Sequence, residues 1–231
     1  DVRAAGYNLI TWDPRGEFAS EGVLQLDNPF FEGRDTSAII TWAAEETPAL
    51  LDDDADDPRV GMVGGSYGGG IQMTTVDPRI EAIVPSIAWN SLIEALYPNE
   101  IFKSAWATTL LLALVEGGAR INTQIYEGVA TGVLFNWLSQ GSQAVLGSSG
   151  PTALLSNMKA PTLFIQGTID ALFPLQQSLV NAQTILENPF GTEVKMTWFC
   201  GGHGYCLDPV NPTQTSRIVG DTIAWLDTYV G

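Results

Sequence analysis

One histidine, two cysteines and three lysines are all that the 231 residues hold of three chemically useful types. The lone histidine is His203, so any chemistry that needs an imidazole has a forced choice. With Cys200 and Cys206 it supplies at most three metal ligands at poor spacing, too few for a closed four-ligand zinc site. Basic residues are outnumbered by acidic ones, 10 against 26, giving a net charge of −16. That charge excludes a nucleic-acid partner, whose phosphates it would repel, and disfavours an anionic membrane surface. The shortage of lysine says little about a salt-adapted source, because only 16% of the residues are charged. No apolar run is long enough to span a bilayer; the longest, Ala105 to Val115, is too short and contains Thr108 and Thr109. Internal repeats and low-complexity tracts are also absent, and no signal peptide is expected from these residues. The sequence begins at Asp1 without methionine, as a processed, trimmed or partial chain would.

What is there is organised around Gly64-Gly65-Ser66-Tyr67-Gly68. The apolar run Val60 to Val63 before it reads as a short buried strand, and Gly69 to Val76 after it reads as a helix. Strand, G-x-S-x-G, helix describes a sharp turn that lifts a serine hydroxyl clear of a sheet edge at a helix N-terminus. Side chains at Gly64 and Gly68 are expected to collide with neighbouring backbone there. The backbone N–H of Tyr67 is placed to face a developing oxyanion. The plain alternative is a glycine-rich turn with an incidental serine.

The rest of the chain alternates strand and helix. Tyr7 to Trp12 reads as a strand ending at Asp13-Pro14-Arg15-Gly16, and Phe30 to Ala44 as a helix with Phe31, Ala38, Ile39 and Trp42 on its apolar face. The acidic run Asp52 to Asp57 lacks the spacing of a calcium loop and reads as a solvated turn. Strands are expected over 80–89, 160–167 and 194–199, and helices over 175–187 and 213–229. Together these give an α/β fold, a mostly parallel sheet of five to six strands covered by helices. Residues 97–150 interrupt the alternation and read as a helical cap between core segments 1–96 and 151–231. In it, helices are expected over 101–115, 121–130 and 133–138, with 141–150 a loop, and Trp106, Tyr126, Phe135 and Trp137 as cap core.

A serine needs a base, and the base needs an orienting acid. His203 follows the last expected strand, and Asp170 follows the strand before it. In a parallel sheet, both strand ends share the edge that carries Ser66. The order Ser66, Asp170, His203 is the α/β-hydrolase order, with Asp208 as the reserve acid. Cys200 and Cys206 frame His203 and read as a disulfide, which implies an oxidising, secreted or extracytoplasmic setting; a metal pair is the alternative.

With Trp12-Asp13-Pro14-Arg15-Gly16, Gly64-Gly65-Ser66-Tyr67-Gly68-Gly69, Asp77-Pro78-Arg79-Ile80, Gly167-Thr168-Ile169-Asp170 and Gly202-His203-Gly204, the chain resembles the X-prolyl dipeptidyl-peptidase and cocaine-esterase-like α/β-hydrolases over nearly its whole length. The resemblance implies ester or amide hydrolysis without metal or organic cofactor. It also implies that further strands, and a loop carrying a second oxyanion donor, precede the Asp-Pro-Arg-Gly segment. Here five residues precede Gly6. Either Tyr7–Trp12 pairs directly with Val60–Val63, bringing the N–H groups of Gly16 or Glu17 over Ser66, or a strand from another chain, as in a homodimer, closes the gap.

The reading that follows is a serine hydrolase of small or polymeric carboxylic esters. Ser66, His203 and Asp170 are its triad, Tyr67, Gly16 and Glu17 its oxyanion donors, and Trp89, Phe173 and Trp198 its substrate wall. The alternatives are release of X-Pro dipeptides, which needs an acidic anchor for a free amine among Glu94, Glu100, Glu116 and Glu127, and a non-catalytic binding protein on the same fold.

Overall fold

A computed structural model describes residues 2–52, 54–207 and 211–231. Four strands, β1 (Val60–Gly65), β2 (Ile80–Ser86), β3 (Thr162–Gly167) and β4 (Val194–Phe199), pair in parallel in the order β1-β2-β3-β4. Parallel neighbours need crossovers, and helices supply them. Helix α2 (Tyr67–Thr74) joins β1 to β2, and α7 (Leu175–Leu186) joins β3 to β4. Between β2 and β3 lie α3 (Leu92–Leu96), α4 (Ser104–Glu116), α5 (Thr123–Phe135) and α6 (Gln140–Ser148). Helix α1 (Glu32–Glu46) precedes β1 and α8 (Gln214–Tyr229) closes the chain.

Both faces of the sheet are covered, as a parallel sheet requires. Met62, Ile83 and Phe164 pack with Ile40, Ile71 and Ile185 on one side. Ala82, Val84, Leu163 and Ile165 pack with Trp225 and Leu226 of α8 on the other. A third cluster, with Trp89, Leu96, Phe102, Leu138, Leu146 and Phe173, lies between the sheet and the inserted helices. Arg79 locks the connection before β2, donating to both Asp77 carboxylate oxygens and to Ser37 O, Thr41 Oγ1 and Asp56 O. That explains the Asp-Pro-Arg run: a charge-assisted staple between α1 and the turn.

Several expectations are corrected here. Tyr7–Trp12 is not a strand, and among the described residues four strands stand where five to six were expected. Its composition suits a sheet, but strand structure exists only where a ladder partner does. The buried face of α1 is Glu32, Gly33, Thr36, Ile40 and Ala43, whereas Phe31 and Trp42 are exposed. Residues 121–138 form one main helix, α5, where two were expected. The Gly- and Ser-rich stretch expected as a loop is helix α6, because Ser139 caps it by accepting from Ser142 N, and Gly128 and Gly141 let α5 and α6 approach closely. Tyr126, Phe135 and Trp137 are exposed and not part of the cap core. The acidic run closes on itself through Asp52 N–H to Asp57 O, Asp53 lying outside the described residues. Among the described residues no helix is long and apolar enough to cross a membrane.

Candidate active site

Strand β1 ends at Gly65, and Ser66 follows with φ 54° and ψ −117°. An L-residue in that region carries strain of order 1–3 kcal/mol, held here by its surroundings. Ser66 N–H donates to Ser86 O at 2.8 Å, while Ser66 O accepts from Gly69 and Gly70 N–H at the start of α2. Buried Gln72 clamps the turn: its Nε2 donates to Gly64 O and Gly68 O, and its Oε1 accepts from Val84 N.

The glycines of the motif are not equivalent. A Cβ at Gly64 would lie 2.5 Å from Gly68 O, whereas one at Gly68 would meet nothing within 4 Å. The expected collision therefore holds for Gly64 only. Gly64→Ala should destabilise the fold by about 1–3 kcal/mol, the usual cost of overpacking, while Gly68→Ala should change stability by less than about 0.5 kcal/mol. Urea midpoints of the two variants decide it; equal midpoints would remove the steric account of the turn.

Asp170 follows β3 and His203 follows β4, and both reach Ser66. His203 Nε2 lies 2.8 Å from Ser66 Oγ, and His203 Nδ1 lies 2.8 Å from Asp170 Oδ2. The Asp170 carboxylate is buried and fully used. Oδ1 accepts from Leu172 and Phe173 N–H, and Oδ2 accepts from His203 N–H as well as the ring. Burial pushes its pKa up, but the His203 ring and the N–H groups of Phe173 and His203 outweigh that and hold it below the usual carboxylate range. Gly202, at φ 123°, makes the approach possible, since a Cβ there would stand 2.5 Å from Asp170 Cβ. The Cys200–Cys206 disulfide spans this loop.

The ring of Phe173 meets His203 edge-on at 5.1 Å, and Trp106 of α4 does so from another side at 6.0 Å. Trp106 packs against the cap cluster, as expected, and also presents its ring to the imidazole. Lys103 was not foreseen: its Nζ donates to Ala171 O and Leu172 O, next to Asp170. Burial lowers its pKa, opposed by Asp170. Nothing in the residue pattern of 101–115 signals that these two side chains turn toward the site.

The other expected residues fare differently. Tyr67 opens α2, so its N–H has no intrahelical acceptor and sits next to Ser66. The N–H groups of Gly16 and Glu17 are spent within their own turn, on Glu21 O and Pro14 O, and do not serve Ser66. Residues 13–18 curl instead against Leu24 and Arg120. Trp89 is buried, donates from Nε1 to Ser149 O and packs on Phe173, supporting the wall rather than forming it. Trp198 is on edge strand β4, 55% exposed, away from the triad contacts. Asp208 lies outside the described residues. Among the described residues no cluster of His, Cys, Asp or Glu could hold a metal ion.

The family model for X-Pro dipeptidyl-peptidase (S15 family) matches residues 2–205. The chain belongs to the S15 family. The fold is that of an α/β hydrolase. Solved structures agree on the fold. The Pyrococcus furiosus esterase matches at 15% identity and TM-score 0.62, over 99% of this chain and 72% of its own. The Pyrococcus horikoshii acylaminoacyl peptidase matches at 18% and 0.59, over 94% of this chain and 31% of its own. A puromycin hydrolase matches at 17% and 0.57, over 87% and 25%. The chain thus spans less than a third of the acylaminoacyl peptidase and of the puromycin hydrolase. No curated protein matches it in a sequence search.

Proposed function

We propose that this S15-family chain hydrolyses carboxylic esters through an acyl-enzyme on Ser66, with His203 as general base and Asp170 as its orienting acid. The observation that carries the reading is the hydrogen-bonded line from Ser66 Oγ through both ring nitrogens of His203 to Asp170, each link 2.8 Å. His203 Nε2 takes the Ser66 proton as Oγ attacks the acyl carbon, then returns it to the leaving alcohol. Asp170, acceptor to Nδ1–H, fixes the tautomer that leaves Nε2 free. The oxyanion faces Tyr67 N–H and the positive end of α2. Water then repeats the cycle on the acyl-enzyme.

The family model favours a second reading, release of X-Pro dipeptides, whose substrates present a free ammonium. Two features favour the ester. Lys103 places a cation beside Asp170, which opposes an ammonium there. Of the acidic residues considered as anchors, Glu94, Glu100 and Glu116 point to solvent and Glu127 is half-buried on α5 without a bond to the triad segments.

A panel of p-nitrophenyl esters and X-Pro p-nitroanilides, the latter with free and acetylated amines, tests this. The expected outcome is turnover of esters, with acetylation leaving the slow anilide rate unchanged within about threefold. A preference of about 100-fold or more for the free amine, some 3 kcal/mol, would establish the peptidase reading instead. Labelling of Ser66 by a fluorophosphonate separates either enzyme from a non-catalytic binding protein. The disulfide suits an extracytoplasmic setting, and we extend the proposal to that location.

A further inference from the structure

Asp170 Oδ1 takes two hydrogen bonds from backbone, from Leu172 N–H at 2.9 Å and Phe173 N–H at 2.8 Å. Each N–H is one end of a peptide unit whose other end is a carbonyl. The unit that carries Leu172 N–H ends in Ala171 O, and the unit that carries Phe173 N–H ends in Leu172 O. Both carbonyls accept from the same donor, Lys103 Nζ, at 3.0 and 3.1 Å. The next unit makes the contrast. Its carbonyl, Phe173 O, takes a neutral donor, Gln166 Nε2 at 2.8 Å, and its nitrogen belongs to Pro174, which has no N–H to offer a carboxylate. The ammonium thus stands on the two units that face Asp170 and not on the one that does not.

This placement has an electrostatic consequence. A cation at a carbonyl oxygen polarises the peptide unit and makes its N–H a stronger donor. Two such units converge on Oδ1, so the Lys103 charge acts on the carboxylate without touching it. Direct contact would do something else: an ammonium on Asp170 would compete with the His203 ring for Oδ2. Among the described residues Lys103 forms no salt bridge, and Oδ2 is left to His203 N–H and Nδ1. The root of the lysine is fixed as well. Lys103 N–H donates to Leu96 O, Lys103 O accepts from Ala107 N–H, and the preceding Phe102 N–H donates to Asn136 Oδ1 at the C-terminal end of α5. The inserted helices hold the lysine, and its ammonium holds the acid loop.

We infer that Lys103 is a positioning residue for the triad: it fixes and polarises the two peptide units that hold Asp170 Oδ1, and through Asp170 it sets the imidazole of His203. The inference rests on the triad chemistry proposed above and extends it to the insertion. Helix α4 then serves the base from two sides of its first turn. Trp106 packs on the imidazole directly, and Lys103 acts on it through the acid.

The test compares three variants of the intact chain. Lys103→Met keeps the stem and removes the cation, Lys103→Arg keeps a cation that can donate to two carbonyls, and Lys159→Met deletes an exposed lysine elsewhere. On a p-nitrophenyl ester, Lys103→Met should lower kcat by about 10- to 100-fold, the cost of a catalytic group displaced by ~1 Å, with KM changed by less than about threefold. Fluorophosphonate labelling of Ser66 should slow by a similar factor. Lys103→Arg should return kcat to within about threefold of wild type, and Lys159→Met should match wild type. Two readouts need no substrate. In Lys103→Met the amides of Leu172 and Phe173 should exchange about tenfold faster while those of β3 do not, which separates local release from loss of the fold. The Nδ1–H signal of His203, unambiguous because the chain has one histidine, should move upfield. A Lys103→Met kcat within about threefold of wild type overturns the inference, as does a loss that Lys103→Arg fails to restore, or unchanged exchange at both amides. Should the wild-type chain turn over no ester, the proposed function fails, and the exchange and ring-proton measurements still decide the role of Lys103.

Discussion

Ser66→Ala should lower ester turnover by about 10⁴–10⁶-fold, and His203→Ala should lower it by a similar amount, with little change in thermal stability. The two losses are alike because the pair acts as a unit. Without Oγ there is no nucleophile, and without Nε2, 2.8 Å away, Oγ keeps its proton. Asp170→Asn should cost about 10⁴-fold and leave a measurable remainder. The carboxylate accepts four hydrogen bonds, two of them on Oδ2 from His203 N–H and Nδ1–H. An amide cannot accept on all four sides. Whichever way it turns, its NH₂ faces a donor, and the imidazole relaxes to the tautomer with its proton on Nε2, where it blocks Ser66. Initial rates on a p-nitrophenyl ester, with circular dichroism to exclude unfolding, measure all three. Ser66→Ala within about tenfold of wild type would remove the triad from the mechanism.

Reducing the Cys200–Cys206 bond should lower stability and activity together. The bridge closes a loop with a sequence separation of 6, and chain entropy assigns such a loop about 2–2.5 kcal/mol. In a chain of this size that corresponds to a melting temperature lower by about 4–10 °C. Activity should fall more steeply, by about tenfold to 100-fold, because misplacing a catalytic group by ~1 Å is costly. The asymmetry of the loop explains why. Its Cys200 end is also held by Gln214 of α8, which donates to Cys200 O and accepts from Cys200 N. Among the described residues no hydrogen bond holds Cys206, so the far side of the His203 loop depends on sulfur. Cys206→Ser compared with dithiothreitol-treated wild type, each assayed and melted, provides the measurement. Full activity with two free thiols in the mass spectrum would exclude the role.

The meeting of Ser66, Asp170 and His203 was legible in the sequence because each sits at a strand end, and parallel strands bring those ends to one edge. The single histidine left no competing choice. Four of the five expected strands were legible for a similar reason: buried parallel strands are short apolar runs bounded by turn residues. Tyr7–Trp12 has the same composition and still is no strand, since pairing is a property of neighbours and, among the described residues, no strand bonds to it. The oxyanion assignment to Gly16 and Glu17 failed with it. Helix α6 was illegible because Gly and Ser have poor helix propensity, and what overrides it is close packing against α5, invisible to a one-dimensional pattern. Lys103 is the N-cap residue of α4 and Trp106 lies in its first turn, and the residues of that helix are apolar almost all round, so no periodicity marks which side turns to His203.

The long insertion between β2 and β3 also sets how the molecule assembles and comes apart. Joining β2 to β3 closes a loop from Ser86 to Thr162, an entropic charge of about 4 kcal/mol against roughly 2–3 for the short connections between β1 and β2 or β3 and β4. The register pairs across that seam are Ile83 with Thr162 and Ser86 with Ile165, whereas six join each of the other strand pairs. The seam also divides the chemistry, with Ser66 on the β1–β2 half and both Asp170 and His203 on the β3–β4 half. Each half can form early from its own local contacts, so on refolding helix content should return before ester turnover does. Both core clusters bridge the seam, so on warming it opens with the shared core, and Ser66 and His203 then part together with the loss of the fold.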